Sequence, residues 1–255
     1  MGSHQPVQWR AISIRSKCGG SSMNMSEAAE FMSATAHAPV GVRLSRTETE
    51  TLCYKATRGA GYSWGIAEEA ANAVGWLCAN GIDGTAVLLA AIVAPTVNAP
   101  DTSNDFWVSS DGKPLCPLMT GAALSDFATS IFAANDDHLQ VGPVRQPVLL
   151  LPFMAQCAAT MGGSIAIEWD GRKLVVGNGI KTDAETLSAF LSASVATISL
   201  SLSGDLFDPD STMTSFALAS PHTIAALDAL AMRTTVPATE QSRNSGAGAG
   251  TSDND

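Results

Sequence analysis

The chain has 255 residues, 45% of them hydrophobic, with a mean hydropathy of +0.14. That is enough apolar material to bury one large core or two small ones, and it excludes an intrinsically disordered protein. With 14 Lys and Arg against 24 Asp and Glu, the formal net charge is −10 and no local basic patch offsets it. A nucleic-acid duplex or an anionic lipid surface is therefore not an expected partner.

Cys18, Cys53, Cys78, Cys116 and Cys157 stand singly with no CxxC pair, a usage that suits reduced thiols and predicts a cytoplasmic protein. The best apolar runs, 86–94 and 148–161, are shorter than the roughly 20 residues a spanning helix needs. They read as core elements. Residues 1–41 have no acid before Glu27 and no periodicity, so they read as a flexible extension, with Met23, Met25 and Met32 as alternative starts, ahead of a single domain over 42–255.

From Leu44 the pattern tightens. Ser45 with Glu48 three residues on forms a capping box, and Leu52, Cys53 and Ala56 carry a first helix to about Thr57. Gly59, Gly61 and Gly65 punctuate a turn. A second helix begins at Ile66, with Ile66, Ala70, Val74 and Leu77 on its apolar stripe and Glu68, Asn72 and Gly75 on a polar one. Gly81 suits the left-handed position after that helix, with Ile82 set to touch Leu77 in a Schellman motif. Asp83 caps a third helix, stopped by Pro95.

Residues 95–118 carry four prolines and predict a long ordered loop with one short strand near Phe106-Trp107. Helical spacing returns over 121–134 through Leu124, Phe127, Ala128 and Ile131. Next come a buried strand over 148–151 and a short helix over 153–161. Residues 164–169 and 173–176 read as strands joined across Asp170-Gly171, a hairpin signal. Residues 195–203 alternate apolar with Ser and Thr, as a strand with one wet face does. Ser220-Pro221 starts a last helix that runs to about Arg233. The expected fold is α+β: an N-terminal helical layer packed on a mixed or antiparallel sheet, a closing C-terminal helix, and an ordered Gly-rich tail.

Three features carry chemistry. Gly61-Tyr62-Ser63-Trp64-Gly65 matches the G-x-S-x-G pattern of a nucleophile elbow. The preceding segment reads as helix, however, and Ser63 reads as a helix cap. Glu68 and Glu69 sit in the first turns of the second helix, where the dipole favours acids; they are the candidate catalytic acid/base groups. In the tail, Gly246 and Gly248 suit a backbone nest for an anion and Arg243 a bidentate charge. The strand and helix that a dinucleotide fingerprint requires are missing around it. Gly61, Ser63, Trp64, Glu240, Ser242, Arg243, Gly246 and Gly248 are the candidate ligand-binding residues. His4, His37, His138 and His222 show no HxxxH or HxH spacing, so no metal site is expected.

Residues 44–84 with their GAGYSWGIAEEAANAVGWL core, Pro117 to Leu124, the Val141-Gly142-Pro143-Val144 and Leu149-Leu150-Leu151-Pro152 segments, and the VPATEQSRNSGAGAGTSDND ending together resemble a bacterial family of uncharacterised proteins, a domain of unknown function. The resemblance covers residues 42–255 and implies that the tail is part of the domain. It implies no activity and no cofactor. Residues 44–84 also resemble, more weakly, the N-terminal helices of the second-type malate/L-lactate dehydrogenases, whose Ser-His-Gly motif is replaced here by Gly84-Thr85-Ala86.

The sequence thus leaves the reaction and any cofactor unknown. The reading it favours is a small anionic-metabolite site, catalytic or not, built from the turn at residues 59–69 and the tail. The alternative is a non-catalytic accessory or assembly protein whose turn and tail dock a protein partner. A nicotinamide-dependent oxidoreductase-like protein is a further alternative.

Overall fold

The computed structural model describes residues 41–93, 98–134, 138–204 and 216–235. Within them the fold is α+β, with seven α-helices, a six-stranded sheet and a two-stranded ribbon.

The chain enters through strand β1 (Val42–Ser45), which pairs antiparallel with β8 (Phe216–Ala219). Helix α1 (Arg46–Gly59) follows at once. The predicted capping box is formed: Ser45 Oγ accepts from the Glu48 N–H at 3.3 Å, and the Ser45 N–H donates to Glu48 Oε2 at 2.8 Å. Helix α2 (Trp64–Ala79) packs along α1. It ends in the expected Schellman geometry, with Gly81 at φ +76, the Ile82 N–H donating to the Leu77 carbonyl and the Gly81 N–H to the Cys78 carbonyl, each at 3.0 Å. Leu77 and Ile82 are both buried. Asp83 then caps helix α3 (Gly84–Ile92) by accepting from the Ala86 N–H at 3.1 Å. Pro95, its expected stop, lies outside the described residues.

Strand β2 (Phe106–Trp107) is the predicted short strand in the proline-rich loop. Helix α4 spans Pro117–Ala134, starting four residues earlier than its periodicity suggested. Strand β3 (His138–Arg145) leads into a 3-10 turn, Pro147–Leu150, and helix α5, Leu151–Met161. The expected strand over 148–151 is therefore corrected. The segment is buried as anticipated, but Pro147 follows a left-handed Gln146 and Pro152 sits in the first turn of α5. Proline fixes φ near its helical value and has no N–H for a strand ladder.

The hairpin of β4 (Ser164–Trp169) and β5 (Arg172–Val176) turns across Asp170-Gly171, both at positive φ, as a two-residue turn of this kind requires. Strand β6 (Ile180–Lys181), helix α6 (Ala184–Ser192) and strand β7 (Val195–Ser203) follow. Helix α7 (Pro221–Ala231) starts at the Ser220 cap, as expected, and passes into a 3-10 turn, Met232–Thr234.

The sheet order is β2-β3-β7-β4-β5-β6, antiparallel throughout except for the β2–β3 pair. Its inner face carries rows such as Leu139, Leu200, Ile167 and Leu174, which lie opposite one another across four strands and are buried. Its outer face carries the matching row Gln140, Ser199, Glu168 and Lys173, in which Lys173 and Glu168 pair at 3.3 Å. Central strand β7 has the single wet face its alternation predicts.

Helix α4 contacts β3, α5 contacts β4 and β5, and α6 contacts β5, while α1, α2, α3 and α7 pack on one another, with α2 reaching α4 and α5. The N-terminal helices are joined to the sheet through α4 and α5. Among the described residues no helix is long and apolar enough to cross a membrane. Cys53, Cys78, Cys116 and Cys157 are buried and form no disulfide among the described residues. The tail beyond Thr235 lies outside the described residues.

Candidate functional site

Where α2 runs past α5, small side chains face each other and the two helices do not close. Ala73 on one side and Ala155, Ala158 and Ala159 on the other leave a cavity of about 610 Å³, within the ordinary size range of small-ligand sites. On α2 the lining residues are Glu69, Asn72, Ala73 and Trp76, an i, i+3, i+4, i+7 stripe and so one face of the helix. On α5 they include Pro152, Phe153 and Gln156. Gly162, in the left-handed conformation that ends α5, and Gly163 close one end, and Gly177-Asn178 between β5 and β6 close another.

Arg46, the first residue of α1, completes the lining; among the described residues it is the one cation there and Glu69 the one anion. Arg46 Nε donates to Glu50 Oε1 at 2.7 Å. The Glu50 carboxylate lies against Gly75 of α2, in the space a Cβ would occupy. Arg46 is thus tied through Glu50 to the Gly75 side of α2. Arg46 and Glu69 form no ion pair with each other, and Glu69, half-buried, makes no ion pair or side-chain hydrogen bond among the described residues. The described lining holds no Ser, Thr, Cys, His or Lys. The chemistry available there is recognition of charge by Arg46 and Glu69, hydrogen bonding by three amides, apolar contact with Trp76 and Phe153, and proton exchange at Glu69.

The other sequence candidates fall elsewhere. Glu68, one residue from Glu69, is exposed and opens into a shallow groove between α1 and α2 with Glu50, Tyr54 and Lys55, which borders the cavity at Asn72. Successive helix positions are about 100° apart, so the two acids cannot share one face. Ser63 caps α2, its Oγ accepting from the Ile66 N–H at 3.4 Å. It follows a helix, where a nucleophile elbow needs a strand.

Gly61 takes φ +100 in the turn, and Gly59 is required because the Leu230 carbonyl of α7 occupies the space of a Cβ. Trp64 is 66% exposed, with the Arg58 guanidinium 4.3 Å from its ring centroid and the Tyr54 ring at 6.2 Å. Tyr62 points inward, its hydroxyl 3.7 Å from Cys116 Sγ; burial first, and then the thiol, push its phenol above the ordinary range. Burial likewise holds the Cys157 thiol at about 11, so at neutral pH it stays protonated and a poor nucleophile. Glu240, Ser242, Arg243, Gly246 and Gly248 lie outside the described residues, as do Cys18, His4 and His37.

Arg46, Trp76, Gln156 and Asn178 were missed by sequence reasoning. Arg46 had a signal, its i, i+4 spacing to Glu50 beside the capping box. For Asn178 the signal was its place between Gly177 and Gly179 after an apolar strand.

This arrangement defines an α+β protein with an open, dipolar cavity beside its N-terminal helices. Residues 44–128 match a family model described as Protein of unknown function (DUF3726), which bears out the likeness read from the turn and the helix after it. No curated protein and no solved structure matches the chain. The matched segment runs from the end of β1 into α4 and so includes Arg46, Glu69, Asn72 and Trp76, but not the α5 side of the cavity.

Proposed function

We propose that the protein binds a small metabolite bearing a carboxylate or similar anionic group in the cavity between α2 and α5. Arg46 receives the anion, and Glu69 is the candidate acid/base group. The observation that carries this reading is that the two charges of the described lining, one of each sign, face one cavity without pairing with each other. Arg46 is held by Glu50, while Glu69 has no ion pair among the described residues; charged groups of opposite sign at the edge of an apolar pocket are the usual equipment for orienting a ligand. Guanidinium suits a planar carboxylate, and the Arg46–Glu50 hydrogen bond uses Nε, leaving the two terminal nitrogens without a hydrogen bond among the described residues.

The test is a thermal-shift screen of carboxylate and phosphate metabolites, repeated on Arg46→Ala. Because Arg46 is largely exposed and its pair with Glu50 is an i, i+4 surface pair, the unliganded variant melts within about 2 °C of wild type. The ligand-induced shift disappears. A wild-type hit that shifts Arg46→Ala equally sinks the proposal.

A second reading has its own observation. The exposed Trp64, with Arg58 over its face and Tyr54 beside it, has the composition of a protein-interaction hot spot. It lies at the N-terminus of α2, on residues that do not line the cavity.

A further inference from the structure

Building on the cavity reading above, we infer that its ligand is a zwitterion: a free α-amino acid with an apolar side chain, whose carboxylate meets Arg46 and whose ammonium meets Glu69.

Glu50, which holds Arg46, rests against Gly75. Gly75 is six residues from Glu69 on α2, about 9 Å of helix rise. The cation and the anion thus line one cavity from two helices, and the carboxylate that holds the cation meets α2 more than a turn away from the anion. Both line a cavity of small-ligand size, so one small molecule can meet both, and they form no ion pair with each other.

A purely anionic ligand on Arg46 would feel Glu69 as a like charge nearby and would lie in the field of a protein of net charge −10. A purely cationic one would meet the reverse arrangement at Arg46. One molecule carrying both signs turns each repulsion into an attraction. Like-charge juxtaposition against the wrong ligand is a strong source of specificity.

Glu69 gives the second half of the case. It is half-buried, lines the cavity, and has no protein partner among the described residues. A partly desolvated carboxylate gains from an ammonium donor. Asn72 is one turn from Glu69 on the same stripe, so its amide is placed to take up the remaining ammonium proton or carboxylate lone pair. The facing wall is different in kind. Pro152, Phe153 and the alanines of α5, with Trp76 beside them, present apolar surface and no charge. That wall takes the side chain, and it favours an apolar or aromatic one.

The test is calorimetric titration of the full chain with three probes that share a phenyl group: L-phenylalanine, 3-phenylpropanoate, which lacks the ammonium, and L-phenylalaninamide, which lacks the carboxylate. The expected result is that phenylalanine binds at least tenfold more tightly than either analogue. Glu69→Gln should erase its advantage over 3-phenylpropanoate, and Arg46→Ala its advantage over the amide. Equal binding of phenylalanine and 3-phenylpropanoate to wild type, both lost in Arg46→Ala, overturns the zwitterion and leaves the anion site standing. If all three bind wild type and Arg46→Ala alike, or phenylalanine does not bind, the zwitterion falls, and the carboxylate and phosphate screen on the same two proteins then decides the anion site separately. The first comparison uses wild type alone, so a Glu69→Gln protein that failed to fold would not shield the inference.

Discussion

The two sides of the cavity are built on different plans. The α1–α2 side carries both charges, lies within the segment that matches the family of unknown function, and consists of local structure: a capping box, a capped turn and a Schellman motif within some forty residues. The α5 side carries no charge and lies outside that segment. It is assembled from a helix, the Gly162-Gly163 corner and the Gly177-Asn178 link between two strands. One side fixes what a ligand's charged groups meet; the other fixes how much room its apolar part has. A polar side of this kind can be specified by sequence-local rules, whereas a space-filling side depends on how distant elements dock.

The most disruptive way to break the first side is from behind. Gly59 ends α1, and the Leu230 carbonyl of α7 stands where its Cβ would be. That neighbour is helical backbone, which cannot swing aside as a side chain can, so Gly59→Ala has to push α1 and α7 apart. The expected cost is about 3 kcal/mol or more, seen as a fall in melting temperature of about 6–12 °C. A variant that melts within 2 °C of wild type would show that α1 is not seated on α7 in this way.

The corresponding break on the second side is smaller. Gly121 of α4 faces the ring of Phe153, which lines the cavity. Gly121→Ala forces that ring to move, at a cost of about 1–3 kcal/mol. An aromatic side chain has somewhere to go, namely the cavity. The expected readout is therefore double: a modest loss in chemical denaturation, and weaker binding of phenylalanine with its preference over 3-phenylpropanoate kept. Loss of that preference with the affinity for 3-phenylpropanoate intact would mean that the two sides do not divide the labour as described.

This division also explains what the sequence disclosed. The caps at Ser45, Ser63, Asp83 and Ser220, the turn at Asp170-Gly171 and the wet face of β7 could be read directly, because each rests on a few neighbouring residues. The apolar run Val148-Leu149-Leu150-Leu151 was read as a strand because short buried strands and buried helical turns share one composition. Only the flanking Pro147 and Pro152 told them apart. Helix α6 escaped notice although Asp183 caps it; its Phe190 packs on Trp169 at 4.5 Å, a contact that no local pattern announces.

In the site, Glu68 and Glu69 were equivalent on paper. What separates them is where α5 docks, and docking is a tertiary fact. Arg46 was hidden for a related reason. It belongs to the site only because Gly75 leaves room for the Glu50 carboxylate that holds it.

That last dependence gives the finest probe of the comparison. Alanine is favoured over glycine within a helix by roughly 0.5–1 kcal/mol, and an i, i+4 ion pair of the Arg46–Glu50 kind is worth about 0.2–0.5 kcal/mol. A Cβ at position 75 meets the end of the Glu50 side chain, which can rotate away. Gly75→Ala should therefore change stability little, by less than about 1 kcal/mol and in either direction, with a melting temperature within about 4 °C of wild type. Its effect belongs at the cavity. With Glu50 displaced, Arg46 loses the hydrogen bond that orients it, and a mobile guanidinium has more rotamer freedom to lose when a carboxylate arrives. Affinity for phenylalanine and for 3-phenylpropanoate should fall by the same factor, while phenylalaninamide, which makes no use of Arg46, should bind as before. A uniform loss across all three would instead place the effect of Gly75 in the shape of α2. In that case the Glu50–Arg46 link would not be what positions the cation.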